Sequence, residues 1–403
     1  MNSPPKRAEK LHLYRPWIGQ EEIDAVAETF RSGWIGTGQK TRDFERRFAE
    51  TVGADEAVAV NSCTAALHLT LTAAGVGPGD NVLVPVYTFT ATAEAALHAG
   101  AEIRFLDVNP TTLNVDPETM EAALNPKTKA VVPVHIAGYP CDMTALQQIA
   151  DAHDLLLLDD AAHAVAGEHN DKRIGGIGHA SAFSFYPTKH ITSIEGGMAT
   201  TNDRQLADAV RNIRYHAITR DAWTREADQS SANAEQSPAM AYDVTAQGYK
   251  CNMTDVQAAV GLAQLEKLDR QMEIRRRIAR MYQDAFGDCG ALETPPEPDN
   301  GRHAWHLYIL KLNLDRLSAS RDEFAAELEA LNIGTAVHYI PLHRFTHYRE
   351  RCRSARGDFP NAERLYRRVL SIPLWPGMDE NDAEDVIRAV LWTAKKRRVK
   401  RIF

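Results

Sequence analysis

The feature that most constrains the fold of this chain is a regular alternation of short, β-rich apolar runs and helix-like spacers between residues 56 and 215. Several of the runs are apolar at every position, which indicates strands that are buried on both faces. Strands separated by helical segments are typical of a parallel sheet covered by helices. The predicted strands are 56–60, 81–86, 102–108, 130–136, 155–160, 181–185 and 196–201. The sequence therefore predicts an α/β fold built on a large, mostly parallel, seven-stranded sheet.

Beyond this region the pattern changes twice, and the changes indicate a second domain. Residues 218–247 are polar and lack periodicity, so they predict a long surface loop of a kind that is often functional. A helical pattern follows from about 255 to 286, with Thr254 and Gln257 placed as an N-terminal capping box. Strand-like and helical patterns mix after about residue 290. The predicted division is a large domain over 1–250, an interdomain helix over 251–290 and a smaller C-terminal α+β domain over 291–403.

Composition and charge exclude several classes of partner. With 403 residues, of which 44% are hydrophobic, the chain is long enough for one large domain and a smaller one. The formal net charge of −8 argues against nucleic-acid and anionic-membrane partners, which need a basic face. Residues 1–10 lack the apolar core of a signal peptide, and no stretch approaches the roughly 18 apolar residues of a membrane span, so a cytoplasmic location is expected. The cysteines are odd in number and scattered, which suits reduced thiols: Cys63, Cys141, Cys251, Cys289 and Cys352.

Three residues near the ends of predicted strands are candidates for chemistry. The run LLLLDD ends in Asp160, which places a carboxylate at the carboxyl end of a parallel strand, where open α/β sheets bind ligands. Asp160 could equally cap a following helix, and His163 taken alone would fit a hydrogen-bonded core histidine. Lys189 lies between the run SAFSF and a Glu-Gly-Gly turn, in a stretch where burial would disfavour an ammonium group.

The segment NSCTAALHL at 61–69 predicts a site for a phosphate. Its small residues Ser62, Cys63, Thr64 and Ala65 would leave backbone N–H groups open at the N-terminus of a helix, where the helix dipole also favours an anion. No G-x-x-x-x-G-K-[ST] motif occurs, and no G-x-G-x-x-G motif follows a strand, which disfavours nucleoside triphosphates and dinucleotides.

These features together suggest pyridoxal phosphate held as a Schiff base. That cofactor needs an acid for its ring nitrogen, an anion site for its phosphate, an aromatic contact such as the run VYTF at 86–89, and a lysine. The lysine forms the imine only as a neutral amine, and an apolar site depresses its pKa. Burial of Lys189 would then be tolerated because the attached nitrogen is no longer an ammonium.

Longer segments resemble the DegT/StrS family of sugar aminotransferases over nearly the whole chain. The matching segments are NSCTAALHL, VPVYTFTATAEAALHAGAEIRFLDVNPTTLNVDP, PVHIAGYPCDM, DDAAHAVAG, FSFYPTKHITSIEGGM, GYKCNMTDVQAAVGLAQLEKL, VHYIPLH and SIPLWPGM. The resemblance implies the type I fold of pyridoxal phosphate enzymes and a homodimer whose active sites are shared between subunits. It also implies ping-pong transfer of an amino group from L-glutamate to a keto group of a nucleotide-linked sugar, for deoxyamino-sugar, surface polysaccharide or antibiotic biosynthesis.

The resemblance also assigns roles to individual residues. Lys189 would hold the cofactor and move the proton between the cofactor and substrate carbons, and Asp160 would pair with the ring nitrogen. His163 and Phe89 would cover the two faces of the ring. The phosphate would be held by Ser184, Thr64 and the backbone from Cys63 to Ala65.

Departures from the family pattern bear on these assignments. Cys63 replaces the commoner glycine of Ser-Gly-Thr, and a positive φ at that position would be strained with a side chain present. SIEGGM likewise replaces Thr-Gly-Glu-Gly-Gly-Met. GYKCNM replaces Gly-Tyr-Asn-Tyr-Arg-Met, a variation also found in members that aminate 4-keto sugars, so a 4-keto sugar is expected. In the dimer Asn252 or Lys250 would reach the partner subunit's phosphate, and Asn252 is the favoured residue.

Substrate contacts are expected at the mouth of the site. The resemblance places Trp34 and Ile35 of the N-terminal segment there, and the segment VHYIPLH adds His338 and Tyr339. Glu195 follows Lys189 closely enough to form a wall of the same site. The other histidines and the cysteine after this segment fit no standard zinc spacing, so no metal is predicted: His343, His347 and Cys352.

Three other activities stay open at this stage. The nearest is a pyridoxal phosphate-dependent sugar dehydratase on the same scaffold, but its relatives carry histidine in place of the lysine, and the adjacent His190 does not replace Lys189. A non-catalytic regulatory protein that binds the cofactor is disfavoured by the presence of both Lys189 and Asp160. A nucleotide-sugar binding module without the cofactor would show no Schiff-base absorbance.

Overall fold

A sheet of seven strands forms the centre of the larger domain within the residues that the computed structural model describes, namely 4–219, 223, 242–352, 355 and 357–399. Its strands are β1 (Glu56–Val60), β2 (Asn81–Pro85), β3 (Glu102–Leu106), β4 (Thr128–Val131), β5 (Leu156–Asp160), β8 (Ala180–Ser184) and β9 (Gly197–Thr201). Short strands elsewhere are β6 (Glu168–His169), β7 (Lys172–Arg173), β10 (Leu292–Glu293), β11 (Gly301–Arg302), β12 (Tyr308–Leu312) and β13 (Val369–Ile372). All seven predicted strands are confirmed, with ends that differ by a few residues.

The order of the large sheet decides where its functional edge lies. The strands are arranged β1-β9-β8-β5-β4-β2-β3, and β9 alone among them runs antiparallel to its neighbours β1 and β8. Strands β2, β4, β5 and β8 are parallel, so their carboxyl ends meet at one edge of the sheet. Asp160 and Ser184, which end β5 and β8, therefore lie at the edge where such sheets bind ligands.

Helices cover both faces of the sheet, and the central strands are accordingly apolar throughout. Val82, Leu83 and Val84 of β2 are fully buried, and burial of each such side chain contributes about 1.5–3 kcal/mol. The helices are α1 (Gln20–Ser32), α2 (Gln39–Val52), α3 (Cys63–Ala73), α4 (Thr90–His98), α5 (Pro117–Ala122), α6 (Met143–Ala152), α7 (Arg204–Ile213), α8 (Asp255–Glu266), α9 (Leu268–Phe286), α10 (Arg321–Ala330), α11 (Thr346–Cys352), α12 (Pro360–Arg368) and α13 (Glu380–Lys396).

The interdomain segment is two helices, whereas the sequence pattern predicted one helix from 255 to 286. The predicted capping box is confirmed, because Thr254 Oγ1 accepts from the Gln257 backbone and the Gln257 side chain accepts from the Thr254 backbone. The helix ends at Lys267, where φ is −97° and ψ is −1°. Lys267 Nζ lies 2.6 Å from Glu22 of α1, so the break coincides with a contact to the large domain that local periodicity does not encode.

The smaller domain has its own apolar core and also takes up the start of the chain. Its centre includes Tyr282, Phe286 and Phe324, packed on the sheet β10-β12-β13. Leu11 belongs to this core, and the Leu11 backbone N–H donates to Asn332 O at 2.8 Å. The segment around Leu11, which the prediction assigns to a large domain over 1–250, thus packs on the apolar core of the smaller domain.

The predicted loop at 218–247 is described only at its two ends. Ile218 and Val244 form an antiparallel bridge there, and Thr219 N–H donates to Asp243 O at 3.0 Å. Residues 220–222 and 224–241, the central part of the predicted loop, lie outside the described residues. In the described part of the chain, no helix has the length and apolar character needed to cross a membrane.

Candidate active site

A cavity of about 480 Å³ lies at the boundary between the two domains. The large domain contributes residues at the carboxyl edge of its sheet, and the smaller domain contributes residues such as Leu374 that close the opposite side. Predicted site residues that line this cavity are Cys63, Thr64, Phe89, Asp160, His163, Ser184, Lys189, Glu195, His338 and Tyr339. The fold thus brings together side chains that are up to 276 residues apart, from Cys63 to Tyr339.

Lys189 lies on the turn that follows β8, with its side chain on the cavity wall. Its backbone N–H donates to Tyr186 O at 2.9 Å, which fixes the turn. Burial lowers the pKa of Lys189 to about 8, and the negative charge of Asp160 opposes part of that shift. Because an ordinary lysine has a pKa near 10.5, a much larger fraction of Lys189 is the neutral, nucleophilic amine at neutral pH.

Asp160 is a buried carboxylate whose hydrogen-bond donors are all uncharged. Thr92 Oγ1 donates to one carboxylate oxygen at 2.8 Å, and the Ala162 backbone N–H donates to the other at 3.1 Å. Burial raises the pKa of Asp160, and no lysine, arginine or histidine among the described residues forms an ion pair with it. Turns follow Asp160, so it does not cap a helix. A buried carboxylate with this surrounding suits a cationic N–H group, such as the protonated ring nitrogen of pyridoxal phosphate.

His163 and Phe89 supply two flat surfaces to the cavity. The His306 ring lies 4.3 Å from the His163 ring, centre to centre, so one face of His163 is covered and the opposite face remains available. Phe89 precedes helix α4, lines the cavity and is 60% exposed, so its ring is accessible to a ligand. This arrangement fits a planar ring bound between the two side chains.

The N-terminus of helix α3 forms the end of the cavity that suits an anion. Within the described residues, the backbone N–H groups of Cys63 and Thr64 have no hydrogen-bond acceptor, and the hydroxyls of Thr64 and Ser184 lie nearby on the cavity wall. The prediction for Ala65 needs correction, because its N–H donates to the helix-capping Ser62 Oγ at 3.1 Å and Ala65 does not line the cavity.

Two neighbours of this anion site explain how its backbone is accommodated. Cys63 does not have a positive φ, so its side chain causes no strain, and its Sγ lies 3.5 Å from Ala182 O. Gly197 of β9 passes so close to α3 that a Cβ would lie 2.4 Å from the Ser62 carbonyl carbon. Only glycine permits that approach. The phosphate, ring and aldehyde of pyridoxal phosphate thus each find a suitable group in one cavity.

Trp34, Lys250 and Asn252 line a second cavity of about 590 Å³. Asn252 Nδ2 donates to Thr37 Oγ1 at 2.6 Å there, and Ile35 is about half exposed and lines neither cavity. The prediction that Trp34 and Ile35 border the mouth of the Lys189 site therefore does not hold within one chain. The two cavities are lined by different segments of the chain, and local sequence does not show which cavity a given segment reaches.

Several residues in the Lys189 cavity or directly behind its lining were missed in the sequence. Thr92 bonds to Asp160, and its position just after an aromatic run that follows β2 was a usable signal. His306 precedes β12 in the run WHLYIL, which reads as an ordinary strand. Leu13, Tyr14 and Leu374 reach the cavity through packing of the smaller domain, and no local pattern indicates this.

The histidines of the C-terminal region have separate roles. His338 lines the cavity with Nδ1 2.8 Å from Ser371 Oγ, and burial lowers its pKa to about 4. His343 Nε2 lies 2.8 Å from Glu363, outside the cavity. In the described ranges of the chain, no group of three or more His, Cys, Asp or Glu residues is placed to hold a metal ion.

Comparison with known proteins agrees with this geometry. The model of the DegT/DnrJ/EryC1/StrS aminotransferase family matches residues 16–391. The chain is 47% identical over 386 residues to the spore coat polysaccharide biosynthesis protein SpsC of Bacillus subtilis (strain 168), covering 96% of this chain and 97% of SpsC. Spr1654 of Streptococcus pneumoniae, described as a sugar aminotransferase and solved in its PMP-form, has a TM-score of 0.88 and 29% identity over 96% of this chain and 99% of its own. DesI, solved in the presence of its TDP-sugar product, has a TM-score of 0.85 and 28% identity over 98% of this chain and 95% of its own.

Proposed function

The chain belongs to the DegT/DnrJ/EryC1/StrS aminotransferase family and is a pyridoxal phosphate-dependent sugar aminotransferase, and from this premise we propose that it aminates the keto carbon of a nucleotide-linked 4-keto sugar with L-glutamate as the donor. The observation that carries the proposal is the cavity in which Lys189 and Asp160 lie with His163 and Phe89. These groups match, one by one, the amine, the acid and the two ring contacts that such a reaction needs.

Two comparisons support the substrate class. DesI is described with a TDP-sugar product, and SpsC is named for polysaccharide biosynthesis. GYKCNM replaces the commoner Gly-Tyr-Asn-Tyr-Arg-Met, and this variation is also found in family members that aminate 4-keto sugars. It therefore supports a 4-keto substrate. The amino sugar would serve deoxyamino-sugar, surface polysaccharide or antibiotic biosynthesis.

The chain's own residues divide the chemical work. Pyridoxal phosphate, when bound, supplies an aldehyde that condenses with amines and a ring that accepts electrons. Asp160 would hold a proton on the ring nitrogen by a charge-assisted hydrogen bond, and His163 and Phe89 would orient the ring. Lys189 Nζ would take the proton from the donor's α-carbon and later deliver one to the former keto carbon of the sugar. Because this nitrogen has a pKa near 8, it can both accept and release a proton near neutral pH.

The second cavity supports a role for the dimer. Among the described residues of one chain, the Lys189 cavity offers the phosphate neutral donors and Lys189 itself, with no arginine or second lysine, whereas Asn252 and Lys250 line the other cavity. In a homodimer with shared active sites, Asn252 of one subunit would reach the phosphate bound by the other. The same arrangement would bring Trp34 to the mouth of the partner subunit's site.

Isotope transfer tests the function directly. The holoenzyme is incubated with ¹⁵N-labelled glutamate and a panel of nucleotide-linked 4-keto and 3-keto sugars, and the products are weighed by mass spectrometry. We expect ¹⁵N to enter a 4-keto sugar while 2-oxoglutarate accumulates. A dehydratase would instead release a product that has lost water and gained no nitrogen. Failure of every keto sugar to acquire ¹⁵N would refute the proposal.

Lys189→Ala gives the matched test of the catalytic assignment. Loss of the amine removes both covalent attachment and proton transfer, so we expect turnover to fall by roughly four orders of magnitude. Lys172→Ala, which truncates an exposed lysine in the short strand β7, serves as the control and should transfer ¹⁵N at the parent rate. Equal rates for Lys189→Ala and Lys172→Ala would show that Lys189 is not the catalytic base.

A further inference from the structure

The proton on the His163 ring has a defined position. The Ala137 backbone N–H donates to His163 Nδ1 at 3.3 Å, so Nδ1 is an acceptor and carries no proton. A neutral imidazole has one N–H, and that proton must therefore be on Nε2. Burial, together with the positive charge of Lys189, lowers the pKa of His163 well below its ordinary value, which keeps the ring neutral.

This tautomer determines what the hydroxyl of Tyr339 can do. Tyr339 Oη lies 2.9 Å from His163 Nε2, and since Nε2 is the donor, Oη must be the acceptor in that contact. The two rings are nearly parallel, with an angle of 17° between them, and their centres lie 6.0 Å apart. The hydroxyl hydrogen of Tyr339 is thus not used by His163.

No acceptor for that hydrogen is present in the part of the chain that the structure describes. Tyr339 makes its hydroxyl contact with His163 alone, and its ring lies 6.2 Å from the Phe89 ring across the cavity. Tyr339 is part-buried, so its hydroxyl hydrogen remains available to an acceptor that enters from the cavity. Tyr339 lines the Lys189 cavity, where a ligand would supply such an acceptor.

We propose that His163 is a positioning residue that fixes the Tyr339 hydroxyl as a hydrogen-bond donor to an oxygen atom of a ligand in the Lys189 cavity. This inference rests on the proposed function and deepens it. The oxygen has two sources with the same chemistry: the phenolic oxygen of the cofactor, or a keto or hydroxyl oxygen of the sugar. The Ala137 N–H thus fixes the tautomer of His163, and His163 in turn fixes the direction in which the Tyr339 hydroxyl donates.

Tyr339→Phe removes the hydroxyl and keeps the ring. We expect it to lower kcat/KM for the sugar by roughly tenfold to a hundredfold, because a buried hydrogen bond to the ligand is lost. Tyr308→Phe is the control, since the Tyr308 hydroxyl is buried without a partner outside the cavity, and its removal should leave kcat/KM unchanged. Equal kcat/KM values for Tyr339→Phe, Tyr308→Phe and the parent would overturn the proposal.

Two readouts identify the source of the oxygen. If the acceptor is the phenolic oxygen of the cofactor, Tyr339→Phe raises the pH at which the absorbance of the bound cofactor shifts, and both half-reactions slow. If it is an oxygen of the sugar, the absorbance titration is unchanged and only the half-reaction with the sugar slows. The absorbance titration and the cofactor affinity need no sugar, so they test the hydroxyl even if the proposed substrate is wrong.

Variants of His163 test the positioning role. His163→Gln keeps an N–H donor toward Tyr339 Oη, whereas His163→Leu has none. We expect His163→Gln to retain most activity and His163→Leu to lose as much as Tyr339→Phe. The double variant Tyr339→Phe/His163→Leu should lose little more than either single variant, because both remove the same interaction. Additive losses, or equal losses in the Gln and Leu variants, would show that His163 acts only by contact with the ring.

Discussion

The two cavities of this chain have similar size but opposite electrostatic character. Among the described residues, the lining of the Lys189 cavity, of about 480 Å³, includes no arginine, and its charged side chains are Lys189, Asp160 and Glu195. The described lining of the second cavity, of about 590 Å³, has four basic and two acidic side chains: Arg42, Arg211, Arg214, Lys250, Glu45 and Asp208. Arg211 pairs with Asp208 at 2.6 Å and Arg214 pairs with Glu45, so the net charge of this lining is positive. The first cavity therefore suits controlled proton transfer, whereas the second suits recognition of an anion that is held from outside the chain.

Burial keeps the histidines of the first cavity neutral. His163, His306 and His338 all line it, and burial lowers the pKa of each below its ordinary value. These rings consequently add hydrogen-bonding groups without adding charge near pH 7. The amine of Lys189 and the carboxylate of Asp160 then control the protonation chemistry, since no histidine competes with Lys189 for the proton.

Neutralisation of Asp160 should produce the largest effect that distinguishes the cavities. Asp160→Asn keeps the shape and a contact for Thr92 but cannot hold a proton on the ring nitrogen by ion pairing. Loss of such an electrostatic contact in a buried site costs about 10²–10³-fold in turnover. Steady-state kinetics of ¹⁵N transfer would measure the drop, and a parent-like rate would remove Asp160 from the mechanism.

Asp159→Asn is the informative control for this substitution. Asp159 is the buried neighbour in β5, but it points away from the cavity and contacts His135 at 3.1 Å and Ser181 at 2.8 Å. Its neutralisation should lower the melting temperature by disturbing a buried pair while leaving kcat/KM close to the parent value. The two adjacent carboxylates would then separate a catalytic from a structural role.

The pH dependence of cofactor attachment should show a somewhat smaller effect. Lys189 attacks the aldehyde as the neutral amine, and its pKa is lowered to about 8, so the rate should rise with pH and level off above that value. Between about pH 6.5 and pH 9 this corresponds to a rise of roughly 30-fold. Stopped-flow absorbance of the apoprotein mixed with pyridoxal phosphate would follow it.

Asp160→Asn tests the direction in which Asp160 shifts the pKa of Lys189. The negative charge of Asp160 raises the pKa of Lys189, in opposition to burial, so its removal should shift the rate profile to lower pH. An ordinary lysine would instead give a rate that keeps increasing about tenfold per pH unit up to its pKa near 10.5. A profile that still climbs in that way above pH 9 would mean that the cavity does not desolvate Lys189.

The same contrast between cavities shows what the sequence could predict. The seven strands could be predicted because each is a short apolar run. Asp160 and Lys189 could be singled out because they interrupt or follow such runs. These are local signals, set by the burial of consecutive residues. The catalytic edge of the sheet follows from them, because the carboxyl ends of parallel strands meet at one place.

Features that depend on packing between distant segments could not be predicted from the sequence. The helix break at Lys267 coincides with a contact to Glu22, some 245 residues earlier in the chain, and Leu11 docks with its backbone N–H donating to Asn332. The backbone N–H of Ala65 was assigned to the phosphate, but it donates to Ser62 Oγ. That hydrogen bond depends on the rotamer of Ser62, which the sequence pattern does not specify. Within one chain Trp34 lines the second cavity, and neither periodicity nor motif shows which cavity a surface residue faces.

Truncation of Asn252 tests whether the second cavity serves the first cavity of a partner subunit. Asn252→Ala should weaken pyridoxal phosphate binding by about tenfold, because one hydrogen bond to a charged group is lost. Cofactor titration by absorbance would measure this, with Asn381→Ala, an exposed asparagine in α13, as the control. If Asn252 served only its own chain, where it bonds to Thr37, the substitution would affect stability and not cofactor affinity.

Mixed dimers decide between these two possibilities. In a heterodimer of Lys189→Ala and Asn252→Ala subunits, one of the two sites would combine an intact Lys189 with an intact Asn252 from the other chain. An equal mixture should therefore recover about a quarter of the parent activity, assayed at limiting cofactor, if subunits pair at random. If both residues acted within one chain, no mixed dimer would contain a complete site, and the mixture would show only the activity of its Asn252→Ala subunits. Recovery would make the charged cavity of each subunit a part of its partner's active site.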